Sequence, residues 1–314
     1  MKKKLTLEAF QSTELPQLAD VVSFSNNLDI SIYANSTVVK SPEVVFRGLL
    51  TSHTRLIGEE YLLNFQRSDA DFGRAIGVGN YSLPMVGEAL SRRNLVDDPG
   101  ELIPLPSYQK VNSPIGPVIR SRRSVRKYSG RALALKAFST VLFHAQGITG
   151  HQELSSLEEN ASLGENDGIA LRAAPSGGGV YPINLYAIAL RISDLDVGVY
   201  KYIPERHALR MIREAGSQLN PVAFAQFGEI EVNDACLLLI YVYRLFDNSR
   251  KYGDSGLAFA LIEVGEIAQN VHLTCTALNL GTCDVGAFRK QYLETLLGLD
   301  GLSQHVVHLT VVGC

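Results

Sequence analysis

GLAFALIEVGEIAQNVHLTCTALNL, residues Gly256–Leu280, is the stretch whose reading decides the fold. It holds no proline, and its two internal turn-prone residues, Gly265 and Asn279, are well separated. Apolar or small side chains fall on nearly every angle of a helical wheel, the pattern of a helix buried on most of its faces. About 25 helical residues would span about 37 Å, more than most helices of ordinary domains. Glu263, Glu266, Gln269, Asn270 and His272 in its middle argue against a membrane span. A central helix is expected, packed on a sheet on one side and on a partner subunit on the other. Polar groups at such depth need partners. Gln269 and Asn270 therefore either face a ligand or satisfy nearby backbone.

The helix is flanked by strand-like runs. Ala235–Tyr243 is nearly continuously apolar and reads as a strand buried on both faces. Thr282–Val285 and His305–Val312 read as strands, with a helix over Arg289–Leu297 between them. Upstream, Val180–Leu190 reads as a strand, and Gly198–Ile203 with Ala208–Ile212 as a hairpin turning on Pro204–His207. Helical periodicity covers Leu133–Gly147. Gly150–Gly168, rich in Ser, Glu, Asn and Gly, reads as a long loop or lid. The C-terminal two-thirds are thus α+β.

LIPLPSYQKVNSPIGP carries four prolines and is the best linker candidate in the chain. It divides an N-terminal extension, residues 1–110, from a domain of residues 111–314. Within the extension, Val38–Leu50 mixes strand and helix patterns, Ser68–Gly73 is polar or small, and Pro84–Arg92 resembles a short amphipathic helix.

A chain of 314 residues with 46% hydrophobic and 19% charged side chains can bury a sizeable core. The net charge of -3 gives no general attraction to nucleic acid or to an anionic membrane. Cys236, Cys275, Cys283 and Cys314 show no CxxC spacing, so no metal site is expected, and their usage fits a reducing compartment. Three lysines near the start have no apolar run behind them and do not make a secretory signal. The expectation is a cytoplasmic protein.

Four elements could carry chemistry. Arg120–Arg131 holds six basic residues around Ser124, suited to a phosphate; the alternatives are a solvated charge run or a nonspecific nucleic-acid contact. Pro175-Ser176-Gly177-Gly178-Gly179 leads into a strand rather than a helix, so it is neither a Walker loop nor a dinucleotide fingerprint. It reads as a close approach of backbone to a flat ligand, or as a flexible turn. Lys251-Tyr252, read as lying in the positive field near a helix N-terminus, could supply a base and a proton donor, or be a surface Lys and a packing Tyr. Asp284–Phe288 could expose backbone N–H groups, or be a plain turn.

In this order the four elements resemble the FMN-dependent nitroreductase superfamily, in particular its SagB-type branch with the azoline dehydrogenases of modified-peptide biosynthesis. RSRRSVRKYSG is similar to that family's flavin-phosphate motif, and APSGGGVYPINLYAI to its Pro-Ser-Gly-Gly loop. GVYKYIPERHALRMI resembles its hairpin, and ALIEVGEIAQNVHLTCTALNLGTCDVGAF its central dimer helix and flavin-facing turn. The resemblance covers about Pro117–Cys314; GEEYLLNF looks like part of the branch's N-terminal extension. It implies a nitroreductase-like α+β sandwich, a homodimer with FMN at its interface. Arg122, Arg123, Ser124 and Arg126 would hold the FMN phosphate and ribityl chain. Pro175, Ser176, Gly177 and Gly178 would approach the isoalloxazine from the second subunit, with Gln269 on the central helix facing the ligand. Val285, Gly286 and Ala287 would present N–H groups near the reactive flavin nitrogen. Lys251 and Tyr252 stand where azoline dehydrogenases carry a Lys-Tyr pair, which assigns them catalysis of azoline oxidation on a peptide substrate, within a cyclodehydratase complex. Two departures stand out. No Lys or Arg follows Lys290 to reach the phosphate, and Gly286 replaces the acidic residue many nitroreductases carry in the turn. An NAD(P)H-dependent nitro- or flavin reductase, and a peptide-docking subunit without turnover, are the alternatives.

Overall fold

The structure is a computed structural model that describes residues 58, 61–62, 101–153, 168–214, 219–225 and 230–314. The chain divides into two compact units, Met1–Asp69 and Ala70–Cys314. In the first, Gly58, Tyr61 and Leu62 are helical. The expectations for Val38–Leu50, Ser68–Gly73 and Pro84–Arg92, and for most of the 1–110 extension, lie outside the described residues.

The second unit is built on an antiparallel sheet. Its strands are β1 (Leu102–Pro104), β4 (Ile183–Ala189), β5 (Gly198–Ile203), β6 (Ala208–Glu214), β7 (Leu237–Arg244), β8 (Gly281–Val285) and β9 (Gln304–Gly313), in the order β1-β6-β5-β4-β7-β9-β8. Two further strands, β2 (Ile148–Glu153) and β3 (Gly168–Arg172), pair only with each other. The helices are α1 (Ile115–Ser121), α2 (Leu135–Gln146), α3 (Pro221–Phe224), α4 (Leu245–Tyr252), α5 (Ser255–Ala277) and α6 (Lys290–Leu297).

The central strand β7 is apolar up to its last residue, Arg244, because both faces of the sheet are covered. One core joins Leu185, Ala187, Leu239 and Tyr241 to α2 and α5 through Phe138, Leu142, Val264 and Ile267. The other joins Tyr186, Ile188, Leu238 and Ile240 to α3 and α6 through Phe224, Leu293 and Leu297. A strand with two buried faces has no polar side to alternate with, so the apolar run of the sequence is met.

The long helix is shorter than expected at its C-terminal end. It ends at Ala277, because Asn279 adopts a left-handed conformation (φ 58) and Leu280 returns its N–H to the Cys275 carbonyl at 2.8 Å, a helix-stop geometry that Asn tolerates. Within one chain it is buried on the sheet side, and the side expected against a partner subunit is open. Ala260, Val264, Ile267, Val271 and Cys275 face the sheet, whereas Leu257, Leu261 and Ile262 are exposed.

The proline-rich segment, expected as a linker, is tied down along the domain. Ile103 pairs with Leu209, Ser139 Oγ donates to the Pro106 carbonyl at 2.5 Å, and Tyr108 stacks on Phe143 with ring centroids 3.8 Å apart. Proline bars a central strand but is compatible with an edge, and β1 is an edge. The expected loop over Gly150–Gly168 is likewise shorter at both ends: His151 pairs with Ala170 and Glu153 with Gly168. Its middle lies outside the described residues.

The joint between α4 and α5 is Gly253, with φ 56 and ψ −139 and open space where a Cβ would stand. That backbone region is essentially reserved for glycine. Gly253→Ala is expected to cost about 1–3 kcal/mol in urea denaturation; a change below about 0.3 kcal/mol would show that the joint is not strained.

Candidate active site

The structure gathers the candidate residues into two groups at opposite ends of α5. The first is built on the glycine loop. Ser176 is held from two sides: its Oγ donates to Glu263 Oε2 on α5 at 2.5 Å and accepts from the Tyr181 N–H at 2.9 Å. Tyr181 in turn accepts the Arg172 N–H at its hydroxyl (3.0 Å) and carries the Arg172 guanidinium over its ring at 4.8 Å. Arg172 closes a buried ion pair with Glu205 at 3.0 Å. The hydroxyl that sequence reasoning turned toward a cofactor therefore anchors the loop to the long helix. Pro175, Gly177 and Gly178 stay exposed.

Gly178 is where the loop meets the Lys-Tyr pair. Its φ is +63, and a Cβ there would collide with Tyr252 Oη and stand 2.5 Å from Lys251 Nζ. Lys251 Nζ lies 3.5 Å from the Gly178 carbonyl oxygen. Lys251 is buried, and its Nζ sits 5.2 Å from the Tyr252 ring, which packs edge-on against Phe259 of α5 at 5.0 Å. Neither residue is a plain surface side chain. Lys251 is the penultimate residue of α4, at the carbonyl end of that helix and four residues ahead of the start of α5. Asn248 pins this helix end to the next, accepting from Tyr243 Oη and donating from Nδ2 to the Gly256 carbonyl, both at 2.7 Å.

The second group lines β8. Ser124 bridges in parallel to Thr282, and the Val125 N–H donates to the Thr282 carbonyl at 2.8 Å. Tyr128 packs under Gly313, and the Ser129 N–H reaches the Cys314 carbonyl at 2.8 Å. The basic segment is thus laid against β8 and the end of β9, with Ser124 and Arg126 exposed and Arg122 half-buried. Arg123 serves the fold as well: its Nη1 donates to the carbonyls of Arg120 and Arg122 at 3.0 and 2.7 Å, closing the C-terminal end of α1. Val285 pairs with Leu309 as the last rung of β8, so Gly286 and Ala287 leave the ladder beyond it. Thr282 and Val285 are about 10 Å apart along the strand. Arginines therefore stand at one end of β8 and a glycine turn at the other.

Gln269 is exposed on α5. Its neighbour Asn270 touches the glycine-loop segment, its Nδ2 lying 3.5 Å from the Ala173 carbonyl oxygen. The backbone-satisfying alternative therefore holds for Asn270. Among the described residues no group of His, Cys, Asp and Glu could hold a metal ion, and no helix is long and apolar enough to cross a membrane. Cys275 is fully buried and its thiol pKa is raised by that burial, in keeping with an inert core thiol.

Sequence reasoning missed the network behind the turn. Asp284 Oδ2 accepts from His272 Nε2 of α5 at 2.8 Å, and His272 Nδ1 meets Thr282 Oγ1 at 2.6 Å. Asp284 Oδ1 accepts from Thr310 Oγ1 at 2.7 Å and lies 3.1 Å from His308 Nε2. Tyr241 Oη completes the chain 3.1 Å from Thr310 Oγ1. Two histidines one strand and one helix away carry no sequence spacing that would reveal this. Asp284 is one residue before the predicted contact triplet, and that proximity was the only available signal.

A family model described as the nitroreductase family matches residues 119–314. The chain belongs to the nitroreductase family. It is 34% identical over 197 residues to a protein of Methanocaldococcus jannaschii named as a nitroreductase, covering 62% of this chain and 88% of that protein. A Ralstonia eutropha structure described as a nitroreductase is 25% identical, with a TM-score of 0.54, over 68% of this chain and 88% of that one. A chain of the E. coli microcin synthetase McbBCD complex, solved with truncated pro-MccB17 bound, is similar in fold over 100% of this chain and 99% of its own. There the identity is 16% and the TM-score 0.50. The nitroreductase-like α+β architecture and an oxidoreductase of this family are thereby established, and the two groups of residues are the ends of its candidate site.

Burial raises the Asp284 carboxyl pKa, but hydrogen bonds from His272, His308 and Thr310 outweigh it and hold the group well below the usual carboxylate range. A depressed folded pKa adds stability above the unfolded value of about 4 and loses it progressively as pH falls through the folded value. Asp284→Asn should therefore be less stable than wild type at pH 7, with the gap narrowing steadily below pH ~4. Urea curves at pH 7 and pH 3 with the same gap would contradict this.

Proposed function

We propose that the protein is an FMN-dependent dehydrogenase that oxidises peptidic azolines (thiazoline or oxazoline) to azoles. The observation that carries this reading is the meeting of Lys251 and Tyr252 with Gly178, a base and a phenol held against a glycine loop that tolerates no side chain. The likeness to a chain of a peptide-modifying synthetase solved with a pro-peptide supports a peptide substrate and a place beside a cyclodehydratase.

The residues fit a phosphorylated flavin. Arg122, Ser124 and Arg126 offer guanidinium and hydroxyl donors for a phosphate and its chain, with Arg123 beside them at the end of α1. At the other end of β8 a Cβ added to Gly286 would meet nothing within 4 Å, which leaves room for a flat ring beside Val285 and Ala287. FMN bound there would supply a two-electron acceptor. Lys251 takes the proton from the ring's α carbon while the β carbon gives up its hydrogen with both bonding electrons. Tyr252 orients the ring nitrogen through its hydroxyl. The net change is loss of two hydrogens per ring.

Both ends of the site must meet one flavin, yet Phe259 beside the glycine loop and His272 beside the turn are thirteen residues apart on α5, about 20 Å. A second copy of the chain brings its glycine loop, Lys251 and Tyr252 to the first copy's turn. The exposed Leu257, Leu261 and Ile262, together with Ile115 and Ile119 of α1, provide an apolar surface for that copy. Gln269, on the exposed face of the same helix, would then line the interface cofactor. Leu261→Asp is expected to yield monomers in sedimentation and to release FMN. A variant that remains dimeric and flavin-loaded contradicts this interface.

The decisive assay follows a precursor peptide by mass spectrometry for loss of two hydrogens per ring. Lys251→Ala should keep its FMN and slow the reaction by about 10²-fold or more; a full rate removes Lys251 from the chemistry. The relative named as a nitroreductase favours a second reading, NAD(P)H-driven reduction. Rapid bleaching of the flavin by NADPH, with no loss of mass from the peptide, would select it.

A further inference from the structure

His272 of α5 uses both of its ring nitrogens on one strand. Nδ1 meets Thr282 Oγ1 at 2.6 Å, and Nε2 lies 2.8 Å from Asp284 Oδ2. Thr282 and Asp284 are alternate residues of β8, so their side chains leave the same face of the strand, about 7 Å apart. One imidazole therefore clamps two points of β8 to the long helix. With the Nε2 hydrogen given to the carboxylate, the neutral ring keeps Nδ1 as an acceptor for the Thr282 hydroxyl. His272 is 5% exposed and Thr282 1%, so water does not stand in readily for either bond.

The two clamped residues are those from which the arginine segment and the turn depart. At Thr282 the backbone carries the basic segment: Ser124 bridges to it, and the Val125 N–H donates to its carbonyl at 2.8 Å. Arg122 and Arg126 stand on either side of that point in the chain. At Asp284 the strand has one more rung, Val285 with Leu309, before Gly286 and Ala287 leave the ladder. Asp284 is also held from β9, by Thr310 Oγ1 at 2.7 Å and His308 Nε2 at 3.1 Å. Three side chains on two elements thus fix its carboxylate just ahead of the turn. A histidine that only satisfied itself in the core could take any two partners. This one takes the two residues that hold the arginines and the turn.

We propose that His272 is the positioning residue of the FMN cradle, keeping in register the segment that would grip the phosphate and the turn that would face the ring. The role rests on the flavin reading given above. His272 acts through its partners: Nδ1 through Thr282 on residues 124–126, and Nε2 through Asp284 on residues 285–287. Loss of the ring releases both stretches, and loss of one partner releases one.

The test combines hydrogen exchange, read by mass spectrometry on the full chain before FMN is added, with FMN affinity measured by titration. Wild type, His272→Phe, Thr282→Val and Asp284→Ala are compared. His272→Phe is expected to speed exchange at least fivefold in both residues 122–126 and 285–288, to leave β4 and β5 unchanged, and to weaken FMN binding at least tenfold. Thr282→Val should speed exchange in 122–126 alone, and Asp284→Ala in 285–288 alone. Unchanged exchange in either stretch of His272→Phe overturns the role. So does exchange raised equally in β4 and β5, which is what a general loss of stability produces, or FMN affinity within threefold of wild type. Wild type that binds no FMN overturns the flavin reading and this role with it, and the exchange pattern tells that case from a failed clamp. Should His272→Phe fail to fold, the other two variants decide: each must release its own stretch and weaken FMN binding, and release of the same stretches in both overturns the assignment.

Discussion

The hydrogen bond from Ser176 to Glu263 is the tie on which the glycine-loop end of the candidate site depends. It fastens a loop of three consecutive glycines, which has no side chains of its own to pack, to the long helix α5. Glycine loses more conformational freedom on folding than any other residue. Left unfastened, such a loop would not hold Gly178 against Lys251. With Ser176 clamped between Glu263 and the Tyr181 N–H, and Tyr181 clamped by Arg172, the backbone arrives beside the Lys-Tyr pair in one conformation. A buried glutamate in an apolar helix is costly unless it is hydrogen-bonded, so the same contact also accounts for Glu263.

The second constraint is the long helix as a ruler. It carries the glycine loop near its start and the Asp284 network near its end, and its length keeps the two groups apart within one chain. The separation gives the exposed apolar stripe on the helix a purpose. In the proposed dimer that stripe would run between the two half-sites, so association and assembly of the site would be one event.

Much of this was legible in the residues. The nearly continuous apolar run at Ala235–Tyr243 announced a strand covered on both faces, and the Pro204–His207 turn announced its hairpin, because burial and turn chemistry are local signals. Lys251 and Tyr252 were selectable by resemblance alone; their own spacing marks them as surface residues, and only the fold brings Gly178 to them. The proline segment misled for a physical reason: proline forbids the middle of a sheet but not its edge, and sequence cannot tell which edge is near. The network of His272, Asp284 and His308 was illegible because its members meet through packing of a helix on two strands.

The central claim is that a flavin joins the arginine segment of one chain to the glycine turn at the far end of β8. Gel filtration of protein mixed with FMN, read by its visible spectrum, tests it most directly. The account predicts a yellow protein peak with one flavin per chain, and loss of that colour when Arg122 and Arg126 are both replaced by alanine. A colourless peak from the wild type, or a double variant that holds FMN as tightly, would contradict it.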